Sequence, residues 1–565
     1  MLKLENGVLT IETKTQLATM VNGRFTSLVN KATGEKVLSA AGDAVGSLMQ
    51  WMNGDIRRLD IGSAEARLLG ENRAEFIFHS WYGDGITQVW CDPASGDICV
   101  KPGAASGRVG VKAVGWELAG IDRSLKALVP TCQGIKLSLD DPLLAGSSYS
   151  WPSEWEIGLC IFENDAGSGF WVHSRDTQYI YKDIQFGGQD TVGTVTLCTQ
   201  AYGPLDNNKS AGGLVWRINC ITGGWRVPAK IYKDWYWNAY DLAAEKKKRL
   251  PWLDDISMAV CWADTNPACL TELAKKVDPK KVLIHMAEWR DYGYDQDYPE
   301  YDPSAAAAEY LKYGAELGFR IAPHMNSMEI DPSHPVYRQL CEFQMLHTDT
   351  KTVYGWGWDN PNWRYLGVPW TETAKTDPRN RSYNIMSKIH PGSTLWQSEL
   401  YSRMNKLAAE HPIAGCFIDV TLCSYNLHNC LVEGKTSSEG LKDMIAMLGE
   451  IRGGLPIGGE GRNEIIAQGL SFAQMHLYRS GHISCEGLER TGGDCAINEF
   501  ILGDLCMTVG YHALAGRNED EILRAKIYDD HGTVPTVITN DPDAFANPNK
   551  TLKEIFDRAN STVRR

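Results

Sequence analysis

Several signatures are missing from this sequence. No stretch approaches the roughly 18 consecutive apolar residues of a membrane-spanning helix. The first residues, MLKLENGVLTIETKTQ, hold no basic segment leading into an apolar run, so no secretory signal is expected and the chain reads as cytoplasmic. Positive charge is not in excess. Lys and Arg number 56 against 70 Asp and Glu, a formal charge of −14, which argues against nucleic acid or an anionic membrane as the main partner. No Walker motif occurs, and no GxGxxG follows the first parallel strand, which disfavours nucleotide and dinucleotide folds. HExxH and GxSxG are absent as well. None of the 15 cysteines has CxxC spacing. Cys416, Cys423 and Cys430 are evenly spaced but fit no zinc knuckle, so free thiols and no metal are expected.

Tryptophan is unevenly spread: 19 occur, none after Trp396. An indole face suits the C–H face of a sugar ring, and it equally fills the core of a large β-domain. With 43% hydrophobic and 22% charged residues the chain can bury a core, and 565 residues imply two to four domains.

Residues 1–229 read as short strands between turn signals such as Asn22-Gly23 and Gly187-Gly188, the pattern of a β-sandwich (supersandwich-like). Residues 230–255 look like a partly helical connector. From residue 256 to 565, apolar strands alternate with helices. Strands are expected at Ile256–Trp262, Lys281–Met286, Phe319–His324, Ile413–Asp419 and Leu455–Glu460, then less clearly at Phe472–Leu477 and Val534–Ile538. Helices are expected at Ser304–Gly318, Ser393–Glu410, Ser437–Arg452, Ala496–Ala513 and Thr551–Ala559. Repeated βα units predict a parallel sheet, and this length fits a (β/α)8 TIM-type barrel of about 250 residues with insertions. A doubly wound sheet is the second choice. The third βα connection, about 326–392, is too long for an ordinary loop and carries Trp356, Trp358, Trp363 and Trp370. It is expected at the barrel mouth, with at least one indole near the pocket.

Two acids occupy matched positions. Asp419 ends the fourth strand and Glu460 the fifth, with one loop and one helix between. Paired carboxylates facing one cavity suit glycosidic-bond hydrolysis, one ionised and one protonated. Glycines 458, 459 and 461 around Glu460 would let a ligand approach the backbone. Polar or aromatic residues at other strand ends are candidate sugar ligands: Trp262, Asp264, Glu288, Trp289, His324, Asn326, Arg462 and Asn463, with Trp356 and Trp358 from the long loop. The acidic stretch Asp291–Asp302 lacks the glycine and terminal glutamate of a calcium loop and reads as solvated, with calcium the minority reading.

A β-rich domain followed by a barrel, with Phe417-Ile418-Asp419-Val420 closing strand four and Glu460 closing strand five, resembles the retaining α-glycosidases. Within them it is most similar to the endo-α-N-acetylgalactosaminidase and bacterial α-N-acetylgalactosaminidase group, distant relatives of the α-amylase superfamily. The resemblance implies Asp419 as nucleophile, Glu460 as acid/base and an α-linked hexopyranoside as substrate: an α-N-acetylgalactosaminide, α-galactoside or α-glucoside. A retaining pair implies a carboxyl separation of about 5–5.5 Å. Two departures stand out. Thr551–Arg565 reads as helix where those families continue into a β-domain, and the wider α-galactosidase group places its acid on strand six, where Glu486, Glu489 and Asp494 compete with Glu460. A transglycosylase, a hydrolase using a later acid, and a non-catalytic carbohydrate-binding protein are the alternatives. The common β-glycosidase clan fits less well, because Ile418-Asp419 stands where its Asn-Glu belongs.

Overall fold

The computed structural model describes residues 1–39, 45–60, 64–356, 386–475, 493–510 and 527–561. The chain forms two compact units, residues 1–240 with 478–501, and residues 241–477 with 502–565.

The first unit is built from antiparallel sheets. A five-stranded meander covers Leu2–Leu38. Ten- and six-stranded sheets follow, with Gly169–Ser174 in one and Val195–Gln200 in the other, both buried along their whole length. That burial identifies central strands covered on both faces. Trp116, Trp151, Trp155, Trp171 and Trp216 are fully buried here, and Trp155 stacks on Trp216 at 6.1 Å between centroids. Much of the tryptophan enrichment is therefore core packing. Asp494 belongs to this unit through an antiparallel bridge to Ile135.

The second unit is the barrel. Its parallel strands are β1 (Met258–Ala263), β2 (Val282–Met286), β3 (Arg320–Asn326), β4 (Cys416–Asp419), β5 (Ile457–Glu460), β6 (Phe472–Met475), β7 (Met507–Gly510) and β8 (Thr536–Val537). They pair in sequence order from β1 to β7, and β8 pairs with β1. Between β7 and β8 a parallel bridge joins Val509 to Val534, and the Thr536 hydroxyl accepts from Gly510 N–H at 2.7 Å. The sheet thus closes into a (β/α)8 barrel, and the doubly wound alternative falls.

β7 lies inside the run Ala496–Ala513, where a helix was expected. The helix stops at Leu502, and Met507-Thr508-Val509-Gly510 continue as strand. A short apolar run has no period long enough to separate the two states.

Helices α1 (Pro267–Ala274), α2 (Ala305–Leu317), α3 (Thr394–Glu410) and α4 (Ser437–Gly449) follow β1 to β4. Each starts at a side-chain cap. The Asn266, Ser304, Ser393 and Thr436 side chains accept backbone N–H groups, and Thr436 with Glu439 completes a capping box. α2 ends on Gly318 at φ 101°, the left-handed closure glycine supplies without strain.

The barrel interior is filled in layers. Ala259, Cys261, Leu283, Ala322, Phe417, Phe472 and Val509 form one buried cluster with Leu253 and Ile256. Strand side chains alternate, so the next inward residues toward the C-terminal ends are His285, His324 and Asp419. The alternation that plugs the barrel also delivers the site.

Burial holds several histidines neutral. It pushes His173 of the first unit down to about 4 and His285 down to about 3. In the unfolded chain each titrates near 6.5, so unfolding takes up protons between these values. Stability is fully present above about pH 6.5 and falls toward pH 4, by on the order of 1–3 kcal/mol per ring. Urea unfolding midpoints measured from pH 7 to 4.5 should therefore fall, and His173→Phe should flatten the slope. A midpoint independent of pH over this window would contradict the assignment.

Candidate active site

Asp419 and Glu460 meet at the C-terminal ends of adjacent strands. Their side chains come within hydrogen-bonding reach of each other. Asp419 keeps 16% of its side chain exposed. Burial, then the charge of Glu460, then those of Glu329 and Asp295, push its carboxyl well above the usual carboxylate range. Asp419 is therefore held toward its protonated form beside Glu460.

The backbone is bent to make this contact. Val420, directly after Asp419, has φ 65°, a left-handed conformation that a β-branched residue rarely takes. Its N–H donates to Glu460 Oε2 at 3.2 Å, and the Thr421 hydroxyl donates to the Glu460 carbonyl at 2.8 Å. Strain at this residue turns a backbone donor onto an acid.

Three further groups gather at Asp419. The Tyr294 hydroxyl donates to Oδ2 at 3.3 Å. His324 Nε2 stands 3.6 Å from the same oxygen, too far for a hydrogen bond. The half-buried Trp262 indole packs edge-on against His285 and Tyr294, with centroids at 5.2 and 5.7 Å. Trp262 also has positive φ, 59°.

The stretch Asp291–Asp302 is a wall of the site, contrary to the solvated loop expected. Asp297, Tyr298 and Tyr301 are buried, and the Tyr301 hydroxyl accepts from Asn326 N–H at 2.9 Å. Asp295 is pushed up to about 7 by burial and then by the charge of Glu329. Four tyrosines interleaved with the acids were the signal against a solvated loop. As for calcium, no group of three or more His, Cys, Asp or Glu among the described residues could hold a metal ion.

The other candidates fall into place by contact. Asn326 is fully buried. Its amide donates to Glu329 Oε2 at 2.9 Å and its oxygen accepts Met328 and Glu329 N–H groups. Trp289 is buried, and its indole N–H donates to the His324 carbonyl at 2.8 Å, so it offers a sugar no free face. Arg462 is buried and donates to the Cys506 carbonyl, while Asn463 caps the turn at Ile465 and Ile466. Asp264 accepts from Asn266 N–H and lines a small space with Leu270, Tyr310 and Phe545, on the helix side of β1. Trp289, Arg462, Asn463 and Asp264 thus carry the scaffold's own hydrogen bonds. Glu288 is not tied to the acid pair by any contact described. The side chain of Trp356 and all of Trp358, Trp363, Trp370, Glu486 and Glu489 lie outside the described residues.

Sequence reading missed a buried ion pair. Lys388 Nζ sits 2.6 Å from Glu329 Oε1, with side chains 6% and 1% exposed. Met386–Lys388 pairs antiparallel with both Glu329–Ile330 and Gly355–Trp356, so a small sheet inside the long connection positions it. Nothing in the local pattern distinguishes this lysine from a surface one.

The glycines around Glu460 make room for the protein itself. A Cβ at Gly458 would lie 2.1 Å from the Phe472 ring, and one at Gly459 would lie 2.5 Å from Thr421 Oγ1. Gly461 adopts φ 74°. No space for a ligand is reserved by their missing side chains.

A family model described as a domain of unknown function (DUF6259) matches residues 214–441. No curated protein matches the chain. Solved structures match along its length. The α-N-acetylgalactosaminidase NagBb from Bifidobacterium bifidum, in complex with GalNAc, is 13% identical with a TM-score of 0.66, covering 99% of this chain and 93% of its own. The galactosidase domain of the α-galactosidase-sucrose kinase AgaSK is 10% identical with a TM-score of 0.51, covering 99% and 85%. A GH31 family sulfoquinovosidase from E. rectale, in complex with an aza-sugar inhibitor, is 12% identical with a TM-score of 0.51, covering 99% and 81%. What this chain shares with them is the fold: antiparallel sheets followed by a TIM-type barrel.

Gly458→Ala should force the Phe472 ring or the β5 backbone to move, at a cost of about 1–3 kcal/mol. The loss should be readable as a lower urea midpoint. Gly458→Ala with Phe472→Leu should recover part of it relative to Phe472→Leu alone. Equal losses in both backgrounds would show that the ring is not the obstacle.

Proposed function

We propose that this protein is a retaining glycoside hydrolase acting on an α-linked hexopyranoside. The observation that carries the reading is the hydrogen-bonded pair Asp419 and Glu460 at the ends of adjacent barrel strands. The fold shared with an α-N-acetylgalactosaminidase, an α-galactosidase domain and a sulfoquinovosidase supports it. An α-N-acetylgalactosaminide, an α-galactoside and an α-glucoside are the substrates to try first.

In this mechanism the sugar enters between the two carboxyls and parts them. Asp419 gives up its proton to Glu460 and attacks the anomeric carbon. Glu460 donates that proton to the glycosidic oxygen as its bond to the anomeric carbon breaks. The aglycone leaves as an alcohol, and the sugar remains as an ester of Asp419. Glu460, now ionised, takes a proton from water, whose oxygen attacks the anomeric carbon and releases Asp419. Tyr294 and His324 face the oxygen of Asp419 that carries charge, while Glu460 has the Val420 N–H. Two groups facing one oxygen of Asp419 support its reading as the nucleophile. Trp262 is the described indole best placed to meet a sugar face.

Nitrophenyl α- and β-glycosides provide the test. Asp419→Asn should lower turnover by several orders of magnitude on every substrate. Glu460→Gln should lose roughly 10²–10⁴-fold on poor leaving groups. On a good leaving group it should accumulate the glycosyl-enzyme, and azide should restore turnover with retained configuration. Wild-type rates in Glu460→Gln on poor leaving groups would move the acid elsewhere. Inverted product from the wild-type enzyme would rule out the double displacement.

A further inference from the structure

His285 lies one layer inside the barrel, and none of the steps above uses it. The Trp262 backbone N–H points at His285 Nδ1 at 3.4 Å, and His285 Nε2 lies 2.9 Å from His324 Nδ1. A backbone N–H can only donate, so His285 Nδ1 accepts. A neutral ring then carries its proton on Nε2 and donates it to His324 Nδ1. His324, neutral in turn, must carry its own proton on Nε2. That nitrogen is buried, has no hydrogen-bond partner, and stands 3.6 Å from Asp419 Oδ2. His324 itself is 1% exposed.

We propose that His285 is a positioning residue that fixes the His324 tautomer, so that His324 Nε2–H receives Asp419 Oδ2 when substrate parts the carboxyl pair. This rests on the double displacement assigned to Asp419 and Glu460. A buried donor without an acceptor is costly, and so is a nucleophile left hydrogen-bonded to its own acid. Both are relieved by one small movement, Asp419 leaving Glu460 for His324 while keeping Tyr294. Oδ2 is then held by two protein donors, and the other oxygen becomes the one that attacks. Trp289 and Phe417 keep the chain rigid. The Trp289 indole holds the His324 carbonyl at 2.8 Å, and Phe417 packs against His285 at 4.3 Å between centroids.

Other groups act on the same pair and must be read together with it. Arg290 and His285 bear on His324, while Glu460, Glu329 and Asp295 bear on Asp419. Removing the His285 donor leaves these charges in place and frees the His324 ring to turn a lone pair toward Asp419. The ionised nucleophile then loses a donor. Its apparent pKa, and with it the acidic limb of kcat/KM, should rise.

The experiment compares His285→Phe with His285→Gln, whose amide nitrogen can replace the donor. His285→Phe should lower kcat by about 10–100-fold, the worth of one hydrogen bond to a charged group, with KM changed by less than about threefold. Its acidic limb should move up by about one pH unit. His285→Gln should return kcat and the limb to within about threefold and a few tenths of a unit of wild type. A folded His285→Phe with an unchanged kcat and pH profile overturns the proposal, as does a His285→Gln as impaired as His285→Phe. Independently of activity, ¹⁵N-histidine NMR of the wild-type protein should show His324, identified by its loss in His324→Asn, as the neutral Nε2–H tautomer from pH 5 to 8. An Nδ1–H tautomer or an imidazolium there overturns the proposal too. Wild-type protein that cleaves no glycoside instead overturns the assigned reaction, while the NMR result still reports the tautomer.

Discussion

Two carboxyl groups held against each other in a largely water-excluded barrel mouth cannot both be ionised at modest cost. That constraint organises the second unit of this protein. Asp419 meets it by being held toward its protonated form beside Glu460. A backbone N–H reaches Glu460 from the strained Val420, and a hydroxyl reaches Asp419 from Tyr294. Two histidines pushed toward their neutral forms fill the space behind. A cation in their place would hold Asp419 permanently ionised and away from its partner.

The same constraint explains why the site rests on the barrel rather than on loops. Inward positions two residues apart on β2, β3 and β4 are Leu283 and His285, Ala322 and His324, Phe417 and Asp419. The apolar members close the floor and the polar members stand on it. Phe472 from β6 fills the space above Gly458, so the smallest residue of one strand and a large one of the next interlock. Moving that interface would shift Glu460 relative to Asp419, and hydrogen-bonding between them tolerates little displacement.

The sequence made the barrel and the acid pair legible, because both follow from a simple rule. Apolar strands alternating with capped helices mean parallel sheet, and an acid at each of two successive strand ends means one shared cavity. Where the rule ran out, so did the reading. β7 is too short and apolar to show a period, and it was lost within an expected helix. Arg462, Asn463 and Asp264 stand at strand ends, but position alone does not reveal that each has a polar atom engaged with a backbone group. Tyr294 and Lys388 belong to connections, where no periodicity reports which side chains turn inward. The glycines beside Glu460 were read as space for a ligand, and they are space for Phe472, Thr421 and Leu422. Composition left the choice open, since indoles that suit sugars also suit the core of a sandwich.

The charges around the pair bear on what the mouth can accept. Lys388 and Arg290 bear on Asp295, and both are engaged. Lys388 is ion-paired with Glu329, and Arg290 donates to the carbonyls of Gly293, Gln296 and Glu300. An anionic sugar would have to draw one of them from its partner and leave a buried carboxylate or buried carbonyls unpaired. A neutral sugar asks for no such exchange. Its hydroxyls can meet the acids as donors and the tyrosine as acceptors, while Asp295, pushed up toward neutrality, is able to donate as well as accept. For the glycosidase proposed above, the pairing of Lys388 and Arg290 is the reason to try uncharged hexosides first.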